Sequence, residues 1–179
     1  RRMTTLTFTP AHPATHRDAL LDLNTEYLQW VVSGFGRITG ASAQQMLGMD
    51  VPAYVASVID KVCGDPPPRG IFYLVEADGV LAGMGGLRWV RDGVAEVKRI
   101  YVRPAHRGQR LGEAILQRVL DDATAFGYRA MWLDSAPFMQ SAQRIYERFG
   151  FVDRGPYDET EAPKELHPIV RFMEKSLTV

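Results

Sequence analysis

Val97–Gly112 reads V-K-R-I-Y-V-R-P-A-H-R-G-Q-R-L-G, and the rest of the chain is organised around it. Val97, Ile100, Tyr101 and Val102 are β-branched or aromatic, the types that favour a strand. Arg103-Pro104 ends that strand, because proline has no N–H for a ladder and restricts the residue before it. A short basic loop follows, His106-Arg107-Gly108-Gln109-Arg110, and a helix opens at Leu111-Gly112. A strand, a glycine-bearing basic turn and a helix N-terminus make a general anion-binding arrangement. Unpaired N–H groups point out of the helix start, and the macrodipole favours negative charge there. Gly108 and Gly112 would let a phosphate approach the backbone.

Two common phosphate-binding patterns are missing. There is no G-x-x-x-x-G-K-[ST] and no G-x-G-x-x-G opening a helix. Gly83-Met84-Gly85-Gly86 lies within an expected strand and reads as a bulge or a close backbone approach. Arg107-Gly108-Gln109-Arg110-Leu111-Gly112 instead resembles the Arg/Gln-x-x-Gly-x-Gly/Ala loop of the GNAT superfamily of N-acetyltransferases. Ile100-Tyr101-Val102-Arg103-Pro104 before it, and Ala142-Gln143-Arg144-Ile145-Tyr146-Glu147-Arg148-Phe149-Gly150-Phe151 after it, are similar to that family too. The resemblance runs from about Ile71 to Phe151. Two positions depart from it: Arg110 stands where glycine is commonest, and Met139 where many relatives carry asparagine.

At 179 residues the chain is expected to form one domain, residues 1–179, and its 46% apolar content is enough to build a core. A formal net charge of zero argues against a nucleic-acid binder that relies on bulk charge. No apolar run is long enough to suggest a membrane span. Residues 1–6 lack the apolar core of a signal peptide, and the single Cys63 forms no internal disulfide, so a cytoplasmic setting is expected.

Read in order, the chain predicts a strand over Leu6–Thr9, then a helix beginning near Thr15 and ending at Ser33-Gly34-Phe35-Gly36. Two further helices follow, with Ser42/Gln45 as a capping box and Asp50 as a cap. Ile71–Ala77, Val80–Val90 and Val94–Val102 form an antiparallel meander, its hairpins at Asp78-Gly79 and Asp92-Gly93. After the helix from Leu111 come a strand over Ala130–Leu133, a helix over Phe138–Phe149, and strands over Phe151–Asp153 and Ile169–Lys175. The fold class is α+β: a mixed, mostly antiparallel central sheet flanked by helices. The family resemblance adds a V-shaped splay between the fourth and fifth strands, into which a pantetheine arm would insert.

The same resemblance implies acetyl-CoA as co-substrate and direct attack by an amine in a ternary complex. Gln109, Arg110, Leu111 and Gly112, with Arg107 and Gly108, would take the pyrophosphate. Ile100, Tyr101 and Val102 would pair with the pantetheine by strand addition. Tyr146 matches the family's proton donor to sulfur, although its place on an apolar stripe equally suits a packed tyrosine. Glu96 is the candidate base, if partial burial raises its pKa. The alternative for Glu96 is a cross-strand ion pair with a neighbouring arginine or lysine. Glu76 is a weaker candidate.

Other groups have plainer readings. His12 and His16 lack a third metal ligand, and no metal is expected. His106 sits at the phosphate mouth. Nothing activates Cys63 as a nucleophile. The basic cluster Lys98, Arg99, Arg103, Arg107 and Arg110 has few stacking aromatics nearby, so nucleic acid is not the expected partner. Asp158, Glu159, Glu161 and Glu165 predict a negative mouth that attracts a small cationic amine, with Tyr27, Trp30 and Phe35 as apolar walls. The sequence thus predicts an acetyl-CoA-dependent N-acetyltransferase acting on a small primary amine, compatible with a homodimer. The alternatives are a protein lysine or N-terminal acetyltransferase and a catalytically silent acyl-CoA-binding domain. Retention of Tyr146 favours an enzyme over the last of these.

Overall fold

A computed structural model describes residues 2–178. Seven strands form one sheet: β1 (Leu6–Pro10), β2 (Ile71–Ala77), β3 (Val80–Arg91), β4 (Val94–Val102), β5 (Ala130–Ser135), β6 (Val152–Arg154) and β7 (Arg171–Ser176), in the order β1-β2-β3-β4-β5-β7-β6. Every neighbouring pair is antiparallel except β4 and β5, which run parallel. The helices are α1 (Pro13–Thr39), α2 (Ala43–Leu47), α3 (Val51–Cys63), α4 (Leu111–Ala125) and α5 (Gln140–Arg148).

Period-2 alternation on the strands builds two cores. From β2, Phe72 and Leu74 join Leu20, Leu23, Val55 and Ile59 of α1 and α3 on one face. Tyr73 and Val75 join Ile115, Leu116 and Val119 of α4 on the other. The turn at Asp78-Gly79 has positive φ at both residues (49° and 80°), as the sequence predicted for a two-residue hairpin.

The glycine run in β3 marks a close approach. A Cβ on Gly85 would lie 2.7 Å from Ile115 of α4 and 3.0 Å from Ile100 of β4. The facing part of β4 is bulged, with Met84 opposite Tyr101 but Gly86 opposite Lys98. Arg99 within that bulge has φ +51°. Hydrogen bonding between β4 and β5 stops after Glu96 opposite Trp132. The edge of β4 from Val97 onward is therefore open on that side, which is the predicted splay.

Several boundaries differ from the sequence reading: β5 runs on to Ser135, α5 begins at Gln140, β7 begins at Arg171, and the largest difference is at α1. α1 does not end at Gly34-Phe35-Gly36 but runs to Thr39, with Gly40 left-handed at its C-cap. Gly34 lies inside the helix because Phe138 packs on it: a Cβ there would lie 2.3 Å from the ring. At the other end α1 starts at Pro13, and His12 N–H donates to Nδ1 of His16 at 3.1 Å. Both predicted caps are present: the Ser42/Gln45 box, and Asp50 accepting from Ala53 N–H at 2.8 Å. Among the described residues no helix is long and apolar enough to cross a membrane.

Candidate active site

Two cavities meet where β4 and β5 part. The larger, about 500 Å³, runs along the open edge of β4 to the start of α4. Ile100, Tyr101 and Val102 line it, as do Arg107, Gly108, Arg110, Leu111 and Gly112; Gln109 does not. His106 stands at its rim as expected, and Met139 lies in its wall. Ala114 N–H bonds back to the Arg110 carbonyl at 3.1 Å. The three earlier helical N–H groups, of Leu111, Gly112 and Glu113, precede any intrahelical partner and are available to an anion. Arg110 has φ +60° and Gly108 φ +81°. Arg110 thus holds a left-handed conformation that glycine would adopt without the steric cost. Nothing lies within 4 Å of where a Cβ on Gly112 would sit. The groove thus offers anion donors at one end and an unpaired strand edge at the other.

The second cavity, about 140 Å³, lies deeper, between β4, β5, α1 and the segment joining β6 to β7. Tyr27, Trp30 and Phe35 form walls as predicted, with Tyr54, Leu133 and Leu166. Trp30, Ile100, Met139, Ala142 and Tyr146 line both cavities. Tyr146 therefore sits at their junction, its ring packed edge-on to Phe151 at 5.7 Å. Burial raises the pKa of its phenol, with Tyr27 and Asp134 adding to the effect, so the hydroxyl keeps its proton near neutrality.

Glu96 lines neither cavity. It stands directly opposite Arg88 in the β3–β4 register, is 1% exposed, and accepts from Arg88 Nε at 2.9 Å and from the Tyr157 hydroxyl at 2.5 Å. Lys98 Nζ is 3.2 Å away. The cross-strand ion pair is what forms, and both carboxylate oxygens are engaged. Two carboxylates do line the deeper cavity, Glu161 and Asp134, and Asp134 lies near the end of β5. One of its oxygens accepts from Thr160 at 2.6 Å. Burial and the nearby Glu96 push its pKa up to about 6, against the pull of Lys98 and the Thr160 hydrogen bond. A lone acidic residue in the otherwise apolar stretch Ala-Met-Trp-Leu was the available signal for it.

The predicted negative mouth is not how the acidic segment is used. Glu159 turns to Arg91 at 2.6 Å, and its carbonyl accepts from Arg88. Glu161 turns inward to Lys98 (2.5 Å), Arg99 (2.8 Å) and the Tyr54 hydroxyl (2.7 Å). Burial works to raise the Glu161 pKa, but Lys98 and Arg99 outweigh it and hold the carboxyl well below its usual range. Lys98 and Arg99 thus belong to the deeper cavity rather than to the phosphate mouth. Cys63 is buried and its thiol is pushed up to about 12, which keeps it inert as the sequence implied.

Comparison with known proteins agrees with this geometry. Residues 42–151 match the family model described as acetyltransferase (GNAT) family. An IAA acetyltransferase of Azospirillum brasilense is 34% identical over 107 residues, which are 59% of this chain and 67% of that protein. An uncharacterised N-acetyltransferase of Schizosaccharomyces pombe is 31% identical over 103 residues, 56% of this chain and 63% of that one. The chain thus spans about two thirds of these relatives' lengths. Among solved structures, a putative acyl-CoA N-acyltransferase from Klebsiella pneumoniae superposes with a TM-score of 0.66 at 24% identity, covering 98% of this chain and 99% of that one. The paia N-acetyltransferase from Thermoplasma acidophilum, solved with coenzyme A, gives 0.64 at 16% identity over 96% and 99%. The chain belongs to the GNAT family of acetyltransferases, and its class of chemistry is acyl transfer.

Proposed function

We propose that this chain moves an acetyl group from acetyl-CoA to a small primary amine, with both held in one complex. The observation that carries the reading is the junction at Tyr146, which lines both the long groove and the deeper cavity. Residues 1–179 act as one domain in this reading, because the two cavities draw on strands and helices from both halves of the chain.

Acetyl-CoA would supply the thioester whose acetyl carbon the amine attacks. The first N–H groups of α4, with Arg107 and Arg110, would hold its pyrophosphate. The open edge of β4 at Ile100–Val102 would hold its pantetheine. Asp134 would accept a proton from the amine nitrogen as the C–N bond forms, with Thr160 fixing the carboxylate's orientation. Tyr146 would give its phenol proton to the departing sulfur as the C–S bond breaks. Exchange with solvent then restores both groups. Asp134 takes the role first considered for Glu96, whose oxygens are committed to Arg88, Lys98 and Tyr157. A small acceptor is favoured over a protein one because Glu161, Ala162, Pro163 and Leu166 line the cavity from the segment that covers it.

Free-thiol release from acetyl-CoA in the presence of an amine panel tests the proposal. Amine-dependent release, lowered in Tyr146→Phe, is the expected result. Coenzyme A binding without transfer to any amine would overturn it in favour of a silent acyl-CoA-binding domain.

A further inference from the structure

Consecutive residues of a regular strand point to opposite faces. Lys98 and Arg99 do not. The positive φ of Arg99 within the β4 bulge brings both side chains to the deeper cavity, where they grip one carboxylate. A non-glycine residue held in that region costs on the order of 1–3 kcal/mol, so the placement is maintained against strain. Both side chains are almost fully buried, at 5% and 2% exposure. Arg99 is also incompletely used. One Nη donates to Asn24 and the other to Glu161, while Nε–H is buried without a partner among the described residues. Glu161 therefore engages one arm of a guanidinium fork that can take a carboxylate on two.

The carboxylate in this grip comes from a segment with no regular structure at that point. Glu159, Thr160 and Glu161 are each tied to the sheet by side-chain contacts, to Arg91, to Asp134, and to the Lys98–Arg99 pair. Exchanging Glu161 for another carboxylate leaves neither buried cation without a counter-charge, which is the costly outcome for such a pair. It would also give Nε a partner. Asp134 lies in the same cavity and can receive an amine.

Resting on the reading of this cavity as the acceptor site, we infer that Lys98 and Arg99 form an anion subsite in which Glu161 is a resident stand-in. The acceptor is an amine bearing a carboxylate and a small apolar side chain; its carboxylate displaces Glu161, its amine faces Asp134, and its side chain meets Tyr27, Val31 and Phe35.

L-leucine and 3-methylbutylamine, which differ only in the carboxylate, test this as acceptors. Leucine should be preferred by at least tenfold in kcat/KM, a difference of about 1.4 kcal/mol. Glu161→Gln should widen that preference, because it removes the internal competitor. Binding is scored independently of transfer by isovalerate, which should raise the melting temperature of Glu161→Gln more than that of the wild type. If the variant does not fold, the wild-type acceptor preference decides. A preference for 3-methylbutylamine, a narrowed preference in Glu161→Gln, or an isovalerate shift no larger in the variant than in the wild type would each overturn the inference. Absence of thiol release with every amine would defeat the transferase reading instead, and the isovalerate measurement would still decide the subsite.

Discussion

The Thr160 hydroxyl donates to the Asp134 carboxylate across 2.6 Å, so the segment between β6 and β7 orients a group on β5 that faces the deeper cavity. Glu96 and Lys98 on β4, Glu161 on the covering segment, and the phenols of Tyr27, Tyr146 and Tyr157 all act electrostatically with that carboxyl. If Asp134 is the base, kcat/KM should rise with pH through about 6, and Asp134→Asn should lower activity and abolish that limb. The same group affects stability. Its folded pKa lies above the unfolded value, so the folded state binds more protons between about pH 4 and about 6, and stability falls as pH rises through that window. Asp134→Asn should flatten this dependence in pH-resolved melting curves. A wild-type pH–rate profile in the variant would remove Asp134 from the mechanism.

Tyr146→Phe keeps the ring against Phe151 and removes only the proton donor. We expect kcat to fall by about 10²-fold, with coenzyme A affinity nearly retained in calorimetry. An unchanged kcat would leave Tyr146 as a packed wall residue.

At the start of α4, Gly112→Val should place a side chain where the groove is open and weaken coenzyme A binding at least tenfold, about 1.4 kcal/mol. Arg110→Gly should act in the opposite sense on stability. It relieves a left-handed non-glycine residue, worth roughly 1 kcal/mol, and coenzyme A titration should show binding weakened far less than in Gly112→Val, because the N–H groups at the start of α4 remain.

Glu96→Gln separates a structural carboxylate from a catalytic one. Removing its charge leaves the buried Arg88 without its counter-ion, while Lys98 keeps only Glu161. We expect a loss of about 3 kcal/mol, read as a melting point lower by roughly 10 °C. Turnover per folded molecule should be affected much less than in Asp134→Asn. The reverse order of kinetic effects would restore Glu96 as the base.

What could be read from the sequence follows from how locally each part is encoded. The long groove is written almost contiguously, because Val97–Gly112 carries the strand, the basic turn and the helix start together. The β-meander was legible for the same reason, from alternation and two Asx-Gly turns. The end of α1 was misread because Gly34 signals a break only when nothing fills the space beside it, and Phe138, far along the chain, fills it. Asp134 was missed because its partner Thr160 lies 26 residues away and its environment comes from Lys98 and Glu96 on another strand. The inward turn of Glu161 depends on a positive φ at Arg99 that an arginine codon does not announce.

The residues at the cavity junction also set a division of labour for redesign. Tyr27, Val31 and Phe35, together with Ala162 and Leu166, shape the deeper cavity but are absent from the lining of the long groove. They also fall outside residues 42–151, the part matched to the family. A combinatorial library confined to these five positions would explore new acceptors while leaving the grip on the acyl donor intact. Selection could then proceed on one half of the catalyst at a time.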